Sequence, residues 1–389
     1  MSKGKLLFSL EGLGDGINDE VVTDDEFDAA MLAVMEDEKE LEEEIDELDD
    51  IDDLVEEAEG SVERLESIAA AITKHGLSAG MMAAADPDGE LVAAGILGSY
   101  EELGDIPVKD ETATAAVEGI AGGIAKIITG YLTLFTKAAK MYIAYFISVG
   151  RAFKSQQAAL LVAGKKLKSV PDINEDKFKA RSIRTLSKAD FDKTVTAADK
   201  VIKAIGGGTL VKVLGDLEKS IAAGKSDIDQ VKGTMGQIAA LLKPIASDDV
   251  AAALGISIAI DADNFVTIST SKSVVPYKKA VAGEIGWAAK DAQGAIASAT
   301  KIVASADVVT AKIKALAELC KTYSSMLKTI TKKAGEYNAE QKAAFKYTVN
   351  SSNRIIGISI KLIQATERSM RKVSNSALNV TSAAIKSKK

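Results

Sequence analysis

Apolar residues recur every three or four positions through the acidic stretch Asp24–Gly60, where they stand between runs of carboxylates. The residues that follow this spacing most clearly are Leu41, Ile45, Leu48, Ile51, Leu54 and Val55. Such spacing predicts an amphipathic helix or a coiled-coil segment. Carboxylates four residues apart repel one another, so we expect this helix only where a partner covers its apolar stripe. The alternative is a solvated, mostly disordered acidic tail.

A further helix is predicted to begin near Ser61, whose hydroxyl is placed to cap the first turn. Arg64 stands where a reciprocal capping box needs glutamate or glutamine, so we expect a one-sided cap. His75 and Gly76 mark the expected end of the helix. The stretch 86–118 then opens with an Asp-Pro-Asp-Gly turn and contains no long periodic segment, which predicts a flexible spacer.

Helical patterning dominates from Ile120 onward. Apolar residues lie nearly all round the segment Ile124–Leu167, which predicts the central helix or helix pair of the core. The polar composition of Asp172–Arg184 predicts a loop. Capping residues and helix breakers then indicate further helical stretches at Ser187–Gly206, about Asp227–Leu242, about Val281–Lys333 and about Asn338–Lys386.

A β-hairpin near residues 256–269 is the one clear strand signal. Isoleucine alternates with smaller residues before an Asp-Ala-Asp-Asn turn, and apolar residues resume after it. An EF-hand loop counted from Asp261 would have Val266 where glycine is needed and Lys272 where glutamate is needed, so we interpret the segment as a turn. The predicted fold class is therefore mainly α, a helical bundle with one small β-hairpin, preceded by an acidic leader that is helical or partly disordered.

The amino-acid composition argues against several classes of protein. The chain has one cysteine and one histidine, so a disulfide framework and a histidine-based metal site are not expected. The first apolar run, Leu6–Leu10, is shorter than the about 7–15 residues of a signal-peptide core. Lysines interrupt the most apolar segment, Ile120–Val149, before it approaches the roughly 20 residues of a membrane span. We therefore expect no stable membrane insertion.

Charge divides the chain near Glu118. Residues 1–118 contain 35 Asp and Glu but only 6 Lys and Arg, a net charge of -29. Residues 119–389 contain 21 acidic and 42 basic residues, a net charge of +21, so the total of -8 hides two opposite regions. The sequence predicts an acidic leader or propeptide over residues 1–118 and a basic helical body over residues 119–389.

Catalytic motifs are not found in the sequence. The glycine-rich segments at Gly206–Lys212 and Gly119–Lys126 lack the spacing of a phosphate-binding loop. Cys320 lies in an alanine- and leucine-rich helical stretch and is most simply a small core residue. We expect neither an enzyme nor a bound cofactor or metal.

The basic excess predicts salt-sensitive, sequence-independent attraction to nucleic acid, because lysine and arginine that neutralise phosphates release counterions. Basic residues recur every seven positions along one side of the last predicted helix and continue beyond it. The candidate phosphate contacts are Arg354, Lys361, Arg368, Arg371 and Lys372. A solvated helix face is the competing interpretation of each. No aromatic residues are interleaved with them, so stacking on single-stranded bases is not predicted.

An acidic leader, a junction of the form small residue, any residue, glutamate, and a basic helical body together resemble the internal head (prohead core) proteins of large tailed bacteriophages. The matching junction is Ala116-Val117-Glu118, with Gly119 as the new N-terminus. The resemblance implies processing by the prohead protease after Glu118. It also implies a mature product held inside the phage head with double-stranded DNA, after assembly in the host cytoplasm with other head core or capsid proteins.

The same triplet form occurs elsewhere, and Glu11, Glu63 and Glu101 are secondary candidate cleavage sites within the leader. Glu284, Glu336 and Glu367 end similar triplets inside the predicted bundle. We favour Glu118 because it lies in the predicted spacer, where the charge changes sign. Two alternatives stay open. One is a prohead scaffold or core protein without a DNA role, and the other is a membrane-active or host-directed effector built on the segment 120–149.

Overall fold

The computed structural model describes residues 23–80, 109, 111–170, 172–223, 228–262, 264–270, 277–333 and 339–388. The helices are α1 (Asp24–His75), α2 (Glu111–Lys168), α3 (Glu175–Lys179), α4 (Lys188–Gly206), α5 (Thr209–Ala222), α6 (Ile228–Leu242), α7 (Asp248–Leu254), α8 (Asp291–Ala304), α9 (Ala306–Lys333) and α10 (Ala339–Ile385). The strands are β1 (Ser182–Thr185), β2 (Ile256–Ile260), β3 (Val266–Thr270) and β4 (Lys278–Val281). The predicted mainly α class with a small β-hairpin is confirmed.

Helix α1 is a single helix of 52 residues, so the prediction of a separate helix capped by Ser61 is wrong. Its start is instead fixed by a capping box, in which Glu26 N donates to Thr23 Oγ1 at 3.2 Å and Thr23 N donates to Glu26 Oε2 at 2.8 Å. The helix ends at His75 before Gly76, as the sequence predicts. Helix α1 packs along α2.

Helix α2 begins at Glu111 and runs for 58 residues across the charge boundary. The prediction that the spacer continues to Glu118 is therefore wrong for its last eight residues, 111–118. Alanine-rich composition and a glutamate in the first turn favour helix here. The rest of the predicted spacer, apart from Lys109, lies outside the described residues.

Two antiparallel two-stranded sheets are present in the described chain. The predicted hairpin is confirmed as β2 paired with β3, with Ile258 opposite Ile268. Helix α3 and strand β1 occupy the segment predicted as a loop, 172–184, and β1 pairs with β4, with Ile183 opposite Ala280. A four-residue strand whose partner lies almost 100 residues away leaves little local signal, and this explains why the loop prediction is wrong.

The helices around these sheets agree in part with the sequence pattern. Helix α4 follows the predicted cap, in which Asp190 N donates to Ser187 Oγ at 3.1 Å, and α6 ends before Pro244 as predicted. Helices α5 and α7 were not predicted. The stretch predicted as one helical segment from Val281 is divided between a turn, α8 and α9. The predicted break near Gly335 lies outside the described residues.

Helix α10, rather than α2, is the central element of the body. It contacts α1, α2, the helices α4 to α9, and strands β1 and β3. Its core-facing side chains include many serines and threonines, and several of their hydroxyls donate to carbonyl oxygens of the preceding turn. Ser359 Oγ donates to the Ile355 carbonyl at 2.7 Å, and Thr366 Oγ1 donates to the Leu362 carbonyl at 2.7 Å. These bonds pair the hydroxyls of Ser359 and Thr366 within the helix, which lowers the cost of burying polar side chains in the core.

Candidate processing junction and basic surface

The candidate junction lies in the second turn of α2. Glu118 is exposed, whereas Ala116 and Val117 are half-buried. All four junction residues, through Gly119, have helical backbone, so the expectation of a flexible segment at Glu118 is wrong. A protease that binds an extended substrate therefore requires the start of α2 to unwind.

Three glycines follow the junction within five residues, at positions 119, 122 and 123, and all lie inside α2. Glycine in a helix interior is less favourable than alanine by about 1 kcal/mol, because the unfolded chain loses more conformational freedom. The junction also lies close to a helix end, where local opening requires the least free energy. The first turns of α2 therefore have the sequence of a helix that opens locally.

The other candidate glutamates occupy different environments. Glu11, Glu101 and Glu336 lie outside the described residues, and Glu63 lies within the continuous helix α1.

Two of the later triplets are held by the fold. Glu284 is exposed in the turn after β4, but Gly283 N donates to the Lys179 carbonyl at 3.1 Å and Glu284 N donates to the Val281 carbonyl at 2.9 Å. Glu367 is 1% exposed in the centre of α10. Among these three glutamates, Glu118 alone combines solvent exposure with a position near a helix start.

The five predicted phosphate contacts do not form one solvent-exposed face. Arg354 is exposed, and its guanidinium carbon lies 4.9 Å from the centre of the Phe265 ring. Lys361, Arg368, Arg371 and Lys372 are half-buried in the body. Seven-residue spacing places Arg354, Lys361 and Arg368 on one side of α10, but from Lys361 onward these side chains are half-buried because α10 is central.

Electrostatics at two of these residues reflects their burial. Arg371 Nε lies 3.3 Å from Oε1 of the buried Glu367, which is four residues earlier on α10. Burial, together with the charges of Arg368 and Arg371, lowers the pKa of Lys372 to about 8. Both side chains therefore take part in the packing of the body.

Another basic cluster lies where the end of α2 meets the segment that follows α10. Lys166 Nζ lies 3.0 Å from Oδ1 of Asp24, the first residue of α1. The hydrogen bond and charge of Lys166, with smaller effects from Lys388 and Lys386, lower the pKa of the Asp24 carboxyl. The name "basic end" is used below for Lys166, Lys386 and Lys388. Sequence reasoning missed this cluster, because no local pattern relates residues 24, 166 and 386.

Arg181 fixes the backbone of the basic end. Its Nη2 donates to the Lys386 carbonyl at 2.8 Å, and its Nε donates to Ser387 Oγ at 3.2 Å. Asn174 N donates to the Ser387 carbonyl at 2.8 Å, and Ile173 forms a β-bridge with Lys388. Lys386 and Lys388 therefore extend from a held backbone, and both are exposed.

Other candidate chemistry is limited in the described part of the chain. Burial raises the pKa of the Cys320 thiol to about 12, so this cysteine is a packed side chain with little thiolate. No three histidine, cysteine, aspartate or glutamate side chains among the described residues are grouped to hold a metal ion. No helix within the described residues is long and apolar enough to cross a membrane.

Comparison with known proteins assigns the chain to no family. No protein-family model, curated protein or solved structure matches the chain.

Proposed function

We propose that this chain is a structural internal protein of a phage head, made with an acidic propeptide that the prohead protease removes after Glu118. The basic body, from Gly119 onward, then resides with packaged double-stranded DNA in the capsid. The proposal assigns no catalytic activity to the chain. Its partners are the protease, other head core or capsid proteins, and DNA bound without sequence preference.

The contact between the two oppositely charged regions is the observation that carries this proposal. Asp24 of the leader lies 3.0 Å from Lys166 of the body, within a chain whose two regions have net charges of -29 and +21. Opposite charge held in contact lowers the attraction of the body for other polyanions. A leader with this property allows assembly before DNA enters the head.

Cleavage after Glu118 would also change how α1 is held. In the intact chain α1 packs along α2, and the chain between them keeps the pair together. After cleavage the leader is held by non-covalent contacts alone, so its effective concentration at the body falls. The body retains the part of α2 that starts at Gly119, which includes Lys166.

Purified mature particles test the proposal directly through the N-terminus and intact mass of this protein. We expect an N-terminus at Gly119 and no peptides from residues 1–118. A chain that keeps its leader in the particle would overturn the processing step and favour a prohead scaffold. The Glu118→Gln chain should keep its leader in assembled particles. The Glu111→Gln chain, with a matched change about one turn before the triplet, should lose its leader as the wild-type chain does.

A further inference from the structure

The basic end already holds one anion. The side chain of Asp24 is 78% exposed and that of Lys166 is 14% exposed, so an exposed carboxylate of the leader binds a lysine that lies largely within the surface of the protein. Lys386 and Lys388 lie close enough to lower the pKa of the same carboxyl. Lys166 contacts this carboxylate directly. Lys388 is held near the end of α2 by its β-bridge with Ile173, and Lys386 and Lys388 act on the carboxylate through their charges.

Two features fix Asp24 at this position. The capping box between Thr23 and Glu26 sets the first turn of α1. Phe27, in the following turn, is 5% exposed and belongs to the hydrophobic core. Because the Phe27 side chain is buried and the capping box fixes the start of α1, the structure of this first turn sets the position of Asp24 beside Lys166.

The lysines are held as firmly as the carboxylate. Arg181 and Asn174 bind the backbone at residues 386 and 387, and Ser387 Oγ donates to the Ala383 carbonyl at 2.7 Å. Lys166 lies in the last turns of α2, between the exposed Lys165 and the exposed Lys168. The bonds that hold the backbone at residues 386 and 387 lie within the body, so none of them is removed with the leader.

We propose that the basic end is a phosphate-binding surface for duplex DNA, and that Asp24 occupies it in the uncleaved chain as an internal competitor. This inference rests on the proposed function and names the surface through which the body meets DNA. Lysine ammonium groups bind phosphate oxygens as point charges, and a carboxylate is the nearest side-chain equivalent of such an oxygen. The three side chains that define the basic end are all lysines, which favours contact with the DNA backbone rather than base stacking.

The test uses the full-length chain and a fluorescent 20-base-pair duplex at about 50 mM salt, conditions in which phosphate contacts are strong. Asp24→Asn should raise the association constant about fivefold, because it removes the competing charge. Asp25→Asn is the matched control, since it makes the same charge change in the same first turn. Equal effects of the two substitutions would mean that only net charge matters, and would overturn the proposal.

A second set of variants tests the lysines in the Asp24→Asn background. Each of the substitutions Lys166→Gln, Lys386→Gln and Lys388→Gln should cancel part of the increase in the association constant. Each should also reduce the slope of its logarithm against the logarithm of salt concentration by about one, the value for one lost phosphate contact. Lys301→Gln, an exposed lysine on α8, should have a smaller effect. An unchanged gain in all three lysine variants would overturn the assignment of the surface.

Binding to vesicles of phosphatidylglycerol and phosphatidylcholine in equal amounts is measured as a separate test. Binding of the Asp24→Asn chain to these vesicles without binding to the duplex would overturn the DNA assignment in favour of a lipid headgroup. The N-terminus found in mature particles does not depend on Asp24, so the processing proposal and this inference can fail independently.

Discussion

The indole Nε1 of Trp287 donates a hydrogen bond to the carbonyl oxygen of Leu186 at 2.9 Å, across 101 residues of sequence. Trp287 follows the turn after β4, and Leu186 follows β1, so this bond continues the β1–β4 pairing into the core. Phe191 of α4 meets the indole edge-on, with 5.3 Å between ring centres. The small sheet is thereby fixed against the first turns of α4.

Substitution of Trp287 should therefore destabilise the body strongly. Trp287→Ala is expected to lower the free energy of unfolding by about 3–5 kcal/mol, because a fully buried ring is lost. Trp287→Phe should cost about 1–3 kcal/mol, since the buried Leu186 carbonyl loses its donor. Urea unfolding followed by circular dichroism measures both values. Val308→Ala, at a side chain that is 52% exposed, should stay within about 0.5 kcal/mol of wild type.

The glycines after the junction should control its accessibility. Gly122→Ala with Gly123→Ala adds about 1 kcal/mol of helix propensity at each position, so local opening becomes rarer. We expect a Glu-specific endopeptidase to generate the Gly119 N-terminus about 10- to 30-fold more slowly in this variant, as measured by mass spectrometry.

Gly150→Ala is the control for the glycine experiment. It lies in the same helix, and its new Cβ would meet Thr310 Cγ2 at an ordinary contact distance of 3.7 Å. It should leave the rate at the junction unchanged. A double variant cut as fast as wild type would show that the bond after Glu118 is cleaved without helix opening.

The sequence predicted those elements of the fold that depend on residues close together in the chain. Ser187 caps α4 through its own side chain, and the isoleucines from Ile256 to Ile260 alternate with smaller residues because successive side chains of β2 face opposite sides of the sheet. The central position of α10 was not predictable in this way, because serine and threonine residues such as Ser359 and Thr366 usually indicate an exposed face. In the structure their hydroxyls donate to carbonyl oxygens of α10 itself. The contact between Asp24 and Lys166 depends on how α1 lies against α2, which no spacing in the sequence encodes.

Stability should depend on pH through Lys372. Its pKa in the folded protein, about 8, lies below the ordinary lysine value near 10.5, because burial and the charges of Arg368 and Arg371 disfavour the charged form. The unfolded chain therefore binds more protons between these two values, so this lysine makes stability rise as pH increases from about 8 to about 10.5.

Lys372→Met should remove this contribution and raise stability at pH 7 by about 1 kcal/mol, after allowance for solvent screening. Urea midpoints from pH 7 to pH 10.5 measure the effect. Lys301→Met, at an exposed lysine, should leave the pH profile unchanged. Parallel profiles for Lys372→Met and wild type would contradict the assignment of this slope to Lys372.

The ion pair between Glu367 and Arg371 should contribute far more than the ion pairs on the surface. Its side chains are only 1% and 11% exposed, so Glu367→Ala leaves a largely buried guanidinium without this carboxylate. We expect a loss of about 3–5 kcal/mol in the free energy of unfolding. The matched pair Lys203 and Asp199 has the same i, i+4 spacing but is exposed, so Asp199→Ala should cost about 0.5 kcal/mol or less.

The burial of Glu367 also predicts the order of proteolysis. Ala365, Thr366 and Glu367 are no more than 1% exposed, so a protease reaches this triplet only after α10 leaves the core. Limited digestion with a Glu-specific endopeptidase should therefore cut after Glu118 well before it cuts after Glu367. In the Glu367→Gln variant the Gly119 fragment should appear unchanged, while an early cut between Glu367 and Arg368 in wild type would contradict the central position of α10.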